Sequence, residues 1–306
     1  MDMTPVQRRT LDELIDPGIG RDVPASLSDR LRARIEEAVG PPAPGASAIR
    51  LTKERLNDHS RCEGLFRSGL LGERPPFETS FRSASGTLLH KAIEIEAGGR
   101  EHAHPWPLAE RAAMSLHDER RFGPFWEALG PTAQDELLME TVRGVEMFRA
   151  SFPPLRPLRS DLVPVTELRL EARFSGGAVV VSGCVDLVLN RPEPSRSTRL
   201  LLDLKSGGAW PEHPEDMRLY ALLYTLRFGV PPIRVATVFL SSGEWQAEEV
   251  SEDTLVHAAD RVVRVARAAA ELAEGREERL TAGPYCSWCP RRSACPAARE
   301  RVATPR

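Results

Sequence analysis

Two short runs, Val181-Ser-Gly-Cys-Val-Asp-Leu-Val-Leu189 and Leu200-Leu-Leu-Asp-Leu-Lys-Ser-Gly207, decide how this chain is read. Both are dense in aliphatic and β-branched residues, so each predicts a strand in a sheet interior. Yet each places an acid, Asp186 or Asp203, where such a strand would take an apolar residue. A carboxylate loses stability when buried without a partner, so these positions predict a metal, a cation or a strand end open to water. Asp203 and Lys205 are two residues apart and share one face of an extended strand. Neighbouring strands lie about 4.8 Å apart, so Asp186 and Asp203 can hold one hard cation between them. Two carboxylates, a divalent ion and a lysine are the parts that phosphodiester hydrolysis needs: charge to polarise the phosphate, a water of lowered pKa and a cation for the developing anion. The plainer alternative remains open here: a surface Asp203–Lys205 ion pair, with Asp186 ending a strand.

Working outward, residues 165–174 predict a strand, Gly176-Gly177 a tight turn and 178–189 the second arm of a hairpin. Residues 214–228 predict a helix ended by Gly229, 233–240 a strand, 245–250 an edge strand, and Leu255 to Ala266 the start of a long amphipathic helix. Upstream, helices are expected near 51–60, 85–97, 106–120 and 132–150, with about 98–160 as a helical insertion. Helices, antiparallel strands, a crossover helix and a further strand together predict an α/β architecture, a mixed sheet flanked by helices. Residues 1–48 read as an appendage: Ser26-Leu-Ser-Asp29 opens a helix carrying Leu27, Leu31, Ile35 and Val39, and Gly40 to Ala46 forms a linker. Residues 49–306 form the main domain.

The chain has 306 residues, 41% of them hydrophobic, with a net charge of −3. That excludes disorder as a whole-chain reading and any overall basic field that would coat a duplex. No apolar run approaches the roughly 18 residues of a membrane span, so a soluble, cytoplasmic protein is expected. Of the 41 Lys and Arg residues only Lys53, Lys91 and Lys205 are lysines, so arginine is the default cation and a lysine in a special place carries information. Basic groups occur at Arg291-Arg292, at Arg120-Arg121 and at Arg261, Arg264 and Arg267; solvated surface is the default for each, and the first pair is the best placed for phosphate contact. No Gly-x-x-x-x-Gly-Lys-Ser/Thr loop is present, so this chain is not itself a helicase motor.

Five cysteines, an odd number with no secretion signal, argue against a disulfide framework. Cys286, Cys289 and Cys295 put three thiols within ten residues, a metal-binding pattern that needs a fourth ligand.

Gly183-Cys-Val-Asp186, Leu202-Asp-Leu-Lys-Ser-Gly207, the upstream helix Gly86-Thr-Leu-Leu-His90 and the downstream Arg218-Leu-Tyr-Ala-Leu-Leu-Tyr224 occur in an order that resembles the RecB-like branch of the PD-(D/E)XK nuclease superfamily over residues 49–298. The resemblance implies a restriction-endonuclease-like sheet, with Mg or Mn held by His90, Asp186, Asp203 and the Leu204 carbonyl, and Lys205 as the catalytic lysine. One position departs from it. The family carries Gln four residues before a Tyr on the helix after the lysine, and here Asp216 stands before Tyr220. Asp donates no hydrogen bond unless protonated, so Asp216 is read as an outer acid or a helix-start residue. Tyr220 either faces DNA or the site, or packs its helix.

The chain is also similar to exonucleases of the AddB type and to CRISPR-associated iron-sulphur exonucleases, which carry one Cys before the nuclease core and three after it. That likeness implies a [4Fe-4S] cluster on Cys62, Cys286, Cys289 and Cys295, joining the N-terminal part to a C-terminal segment at 283–298. Four thiolates also suit tetrahedral Zn, though the family pattern favours the cluster; His59 is read as a surface residue, a substitute ligand only in the Zn case; Cys184 is read as a small buried residue. The expected activity is exonuclease action on single-stranded DNA or DNA ends, in repair or CRISPR adaptation, with a helicase or adaptation partner encoded elsewhere. The alternative is a non-catalytic iron-sulphur nucleic-acid-binding or scaffold protein.

Overall fold

Where the sequence leaves helical periodicity after Pro164 the chain passes from helices into sheet. The computed structural model describes residues 2–41, 48–99 and 104–303, and the side chains up to residue 299; the linker expected over 40–46 therefore falls mostly outside the described residues. In chain order the principal elements are helix α1 (Leu27–Val39), strand β1 (Ile49–Leu51), helices α2 (Lys53–Arg61), α3 (Glu63–Leu70), α4 (Phe81–Gly98), α5 (Pro105–Leu116), α6 (Phe122–Ala128) and α7 (Pro131–Ser151), strands β2 (Val165–Phe174), β3 (Val179–Leu189) and β4 (Leu200–Lys205), helix α8 (His213–Phe228), strands β5 (Arg234–Phe239) and β6 (Glu244–Glu249), and helix α9 (Glu252–Ala273). No helix among the described residues is long and apolar enough to cross a membrane.

The sheet runs β1-β3-β4-β5-β6, with β2 along the other edge of β3. Gly176 and Gly177, at φ 62° and 94°, make the turn between β2 and β3, a conformation glycine adopts without Cβ strain. Helix α8 crosses over to bring β5 parallel to β4, and β6 returns antiparallel. Helices α1, α8 and α9 bury their apolar stripes on one face of the sheet; α4, α5 and α7 cover the other. Cover on both faces is why β4 reads as an unbroken apolar run, Leu200-Leu-Leu, before Asp203. Strand β1 was not expected. Three residues are too few to show alternation, and its place is set by parallel pairing with Val179, Val180 and Val181. Near the N-terminus, Leu14 and Ile15 are fully buried in the helical core, and the Ile15 carbonyl accepts a bond of 2.8 Å from Asn190.

One local feature opens the site. The edge of β3 that faces β1 and β4 is shared: Val179–Val181 pair with β1 and Leu187–Leu189 with β4, leaving residues 182–186 without a ladder partner on that side. Into this fork packs Tyr220, only 2% exposed. A Cβ at Gly183 would lie 2.6 Å from its ring. Gly183→Ala is therefore expected to cost about 1–3 kcal/mol, the usual penalty of overpacking, measured by urea denaturation. Stability within about 0.5 kcal/mol of wild type would show that the ring is not wedged there.

Candidate active site

The last ladder pair between β3 and β4 is Leu187 with Leu202, and the same register continued by one residue sets Asp186 opposite Asp203. The strands part there, so the Leu204 N–H donates to Asp186 Oδ2 at 2.6 Å. Asp203 is 2% exposed. Both its oxygens meet ammonium groups: Oδ2 stands 2.5 Å from Lys205 Nζ and Oδ1 3.6 Å from Lys53 Nζ, at the start of α2. Lys53 Nζ also lies 5.5 Å over the Tyr220 ring. Burial alone would lower the Lys53 pKa, but the charge of Asp203, with Tyr220 and Asp216, outweighs it and holds the ammonium well above its ordinary range. Burial raises the Tyr220 phenol.

On the other side of Asp186, His90 of α4 brings Nδ1 to 3.6 Å from Oδ1. Burial favours the neutral imidazole, yet the interaction with Asp186 and the charge of Asp203 raise its pKa overall. The Asp186 carboxyl goes the other way: burial pushes it up, and His90, the Leu204 N–H and Lys205 together bring it below the ordinary value. Glu167 faces Asp186 across the β2–β3 ladder, between the pairs Thr166 with Leu187 and Leu168 with Val185. Its backbone is left-handed at φ 49°, a strained conformation for a side-chain-bearing residue. Like charges directly opposed on neighbouring strands repel, and a cation between them removes the penalty. Ligand atoms of His90, Glu167 and Asp186 all lie within 4.8 Å of one another, the one such group among the described residues. Burial and the charge of Asp186 raise the Glu167 carboxyl.

Cys184 is half-buried, not a closed core residue, and its thiol donates to Glu167 Oε2 at 3.4 Å. Burial and Glu167 push that thiol up to about 12, so it stays protonated beside the acids. Asp216, on the first turn of α8, is buried and accepts from Asn57 Nδ2 at 2.9 Å; Asn57 Oδ1 in turn accepts from Arg261 at 2.6 Å. Burial raises the Asp216 carboxyl. Arg261 is thus a buried partner in this chain of bonds and no part of a basic DNA surface, and Tyr220 touches the site through Lys53 rather than facing a groove.

At the other end of α2, Cys62, Cys286, Cys289 and Cys295 line one cavity of about 570 Å³. Backbone N–H groups of Thr281 and Gly283 point at the sulfurs of Cys62 and Cys286, at 3.5 and 3.4 Å. Burial, and the neighbouring Cys62, Cys286 and Cys295, raise the Cys289 thiol. No three of these thiols come within 4.8 Å of one another among the described residues, so a closed four-thiolate ion site is not formed. His59 does not line this cavity; its ring is edge-on to Phe66 and its Nε2 lies 3.7 Å from Glu63. Arg291 departs from its expected role: it forms ion pairs with Glu73 at 2.5 Å and Glu278 at 2.9 Å, so it braces this end of the molecule instead of offering a free charge to phosphate.

Glu63, 4% exposed, ties the two arms together, accepting from Arg276, from the Arg279 guanidinium and from the Arg279 N–H at 2.7 Å. Burial raises its carboxyl, but these donors win and bring it from 4.5 to about 2. A carboxyl depressed on folding stabilises fully above its unfolded value, and that stability is lost as pH falls through the folded one. Between pH 4.5 and 2 wild type should therefore lose stability that Glu63→Gln lacks at every pH, read as converging urea midpoints. Curves that stay parallel would mean that Glu63 is not charged against those arginines.

Two residues of the site escaped the sequence reading, Lys53 and Glu167. Each left a signal. All three lysines of the chain converge here: Lys53 and Lys205 on Asp203, and Lys91, bonded to Glu94, along the cleft beside His90. Counting the hairpin register back from the Gly176-Gly177 turn sets Glu167 opposite Asp186.

A family model for the PD-(D/E)XK nuclease superfamily matches residues 50–296. Among solved structures the chain is similar to SSO0001, at 13% identity over 88% of this chain and 94% of that one, with a TM-score of 0.33. No curated protein matches it.

Proposed function

The chain belongs to the PD-(D/E)XK nuclease superfamily, and from that premise we propose that it is a metal-dependent deoxyribonuclease, an exonuclease acting on single strands or DNA ends. The observation that carries the reading is the fork between β3 and β4, where Asp186 and Asp203 stand in register with His90 and Glu167 on one side and two lysines on the other. His90, Asp186 and Asp203 would hold Mg or Mn with the Leu204 carbonyl, and the strained, opposed Glu167 adds a further carboxylate to the fit. Bound there, the ion would supply a Lewis acid for the phosphate and a water of lowered pKa. Lys205 holds a fixed positive charge where charge grows on the phosphate, and Asp203 fixes its position. The Leu204 N–H locks the rotamer of Asp186. Tyr220 and Asp216 position Lys53, and through it Asp203.

The same reading gives Cys62, Cys286, Cys289 and Cys295 a [4Fe-4S] cluster. In its support, a single tetrahedral ion draws its sulfurs to within about 3.8 Å of one another, whereas these thiols surround a wider cavity with N–H groups aimed at sulfur. Its biological setting is DNA repair or CRISPR adaptation, beside a helicase or adaptation partner encoded elsewhere. The test is hydrolysis of an end-labelled single strand by anaerobically purified protein with and without Mn. No product with wild type holding its metal would favour the scaffold reading.

Binding should be only mildly salt-dependent. With a net charge of −3, affinity should come from a few arginine contacts, about two to four phosphates' worth, a log–log salt slope of about −1.4 to −2.8 on single strands. A slope of about −10 would show that many more phosphates are contacted than these few.

A further inference from the structure

From the metal-site residues a cleft of about 1110 Å³ runs between α4, the turn before α6 and the start of β2. Arg82, Arg120, Arg121 and Arg169, all lining the cleft, have no acidic partner among the described residues, whereas Arg291 beside the thiol cavity is paired with Glu73 and Glu278. At the end away from Asp186 the cleft meets a second cavity of about 560 Å³, and Phe77, Thr79, Arg120 and Arg121 line both. Phe77 is 57% exposed at the rim shared by the two cavities. The Arg121 guanidinium sits over that ring at 5.4 Å from its centroid. The pair is held in place: Pro75 and Pro76 stiffen the chain before Phe77, and Thr79 Oγ1 donates to the Arg121 carbonyl at 2.9 Å, tying this loop to the helical insertion.

We propose that Phe77 and Arg121 form a stacking platform for an unpaired base of single-stranded DNA, whose phosphates are led along Arg82, Arg120 and Arg169 to the carboxylates. This rests on the nuclease reading and sharpens it. An aromatic face beside a guanidinium plane accepts any base without reading its edges, whereas a base inside a duplex has both faces covered. Rigidity matters as well, because a platform fixed by prolines loses little freedom when a base lands on it.

The experiment measures binding of a fluorescein-labelled dT12 strand, and of the same strand with abasic sites, by anisotropy in EDTA. Chemistry is read separately as wild-type hydrolysis of bis(p-nitrophenyl) phosphate with Mn, a substrate without a base. Phe77→Ala should weaken dT12 binding about tenfold, as loss of one stacked base does, and Phe77→Trp should restore it. An abasic site at the stacked position should cost wild type the same factor and cost Phe77→Ala nothing further. Phe77→Ala and wild type binding dT12 equally, while wild type hydrolyses the small diester, would overturn the platform and leave the nuclease reading standing. Wild type that neither binds dT12 nor hydrolyses the diester would overturn both.

Discussion

Asp203→Asn should abolish cleavage, by at least about 10³-fold, at every Mg or Mn concentration that supports wild type. The carboxylate it removes has three duties at once: it is a proposed metal ligand, it anchors Lys205 at 2.5 Å, and it balances Lys53 at 3.6 Å. The amide keeps the shape but not the charge, so the two ammonium groups lose the carboxylate that stands between them. Lys205→Ala removes only the charge at the phosphate and should lower the rate by about 10²–10³ at unchanged metal requirement. Lys53→Ala should have a smaller effect than Asp203→Asn, since Asp203 keeps one partner. Measuring rate against metal concentration for the three variants separates them: His90→Ala, for comparison, should raise the metal requirement more than it lowers the saturated rate. Cleavage by Asp203→Asn at the wild-type rate would show that the reaction happens elsewhere.

What made this site legible is the mismatch between residue and place. An acid in an apolar strand is a local violation that must be compensated, and Asp186 and Asp203 announced themselves in that way. The hairpin, the crossover helix and the two outer strands were readable for the same reason, because alternation and turn glycines act within a few residues. The sequence could not show where β3 stops pairing with β1 and starts pairing with β4, since that depends on which distant segments share an edge. The fork follows from that sharing, and so does the wedge of Tyr220 against Gly183. Arg261 and Arg291 were misjudged for a related reason: a guanidinium in a sequence gives no sign of whether an acid waits for it in space, and Asn57, Glu73 and Glu278 come from remote elements. Asp216 is the converse case. Its departure from the family glutamine left it as an outer acid or a helix-start residue, and it is both: buried on the first turn of α8, it accepts from Asn57 and lies within the electrostatic reach of Lys53.

Loss of the cysteine centre should loosen the whole molecule. The four thiols come from two arms about 220 residues apart in sequence, and on a chain-entropy argument a link closing a loop of that length is worth roughly 5 kcal/mol at most. The arms are also stapled by Glu63 to Arg276 and Arg279 and by Arg291 to Glu73. Removal of the metal should therefore lower the urea midpoint without unfolding the protein outright, and combining it with Glu63→Gln should unfold it. Protein purified without oxygen should be brown, with broad absorption near about 400 nm from sulphur-to-iron charge transfer. Cys62→Ser and Cys286→Ser should each bleach it and destabilise the fold, whereas Cys184→Ser, whose thiol donates to Glu167 at 3.4 Å and lines no part of the thiol cavity, should keep the colour. Colourless protein carrying one Zn per chain on the same four thiols would replace the cluster with a single ion. Full stability of Cys62→Ser, by contrast, would mean that the Glu63 staple alone holds the two arms.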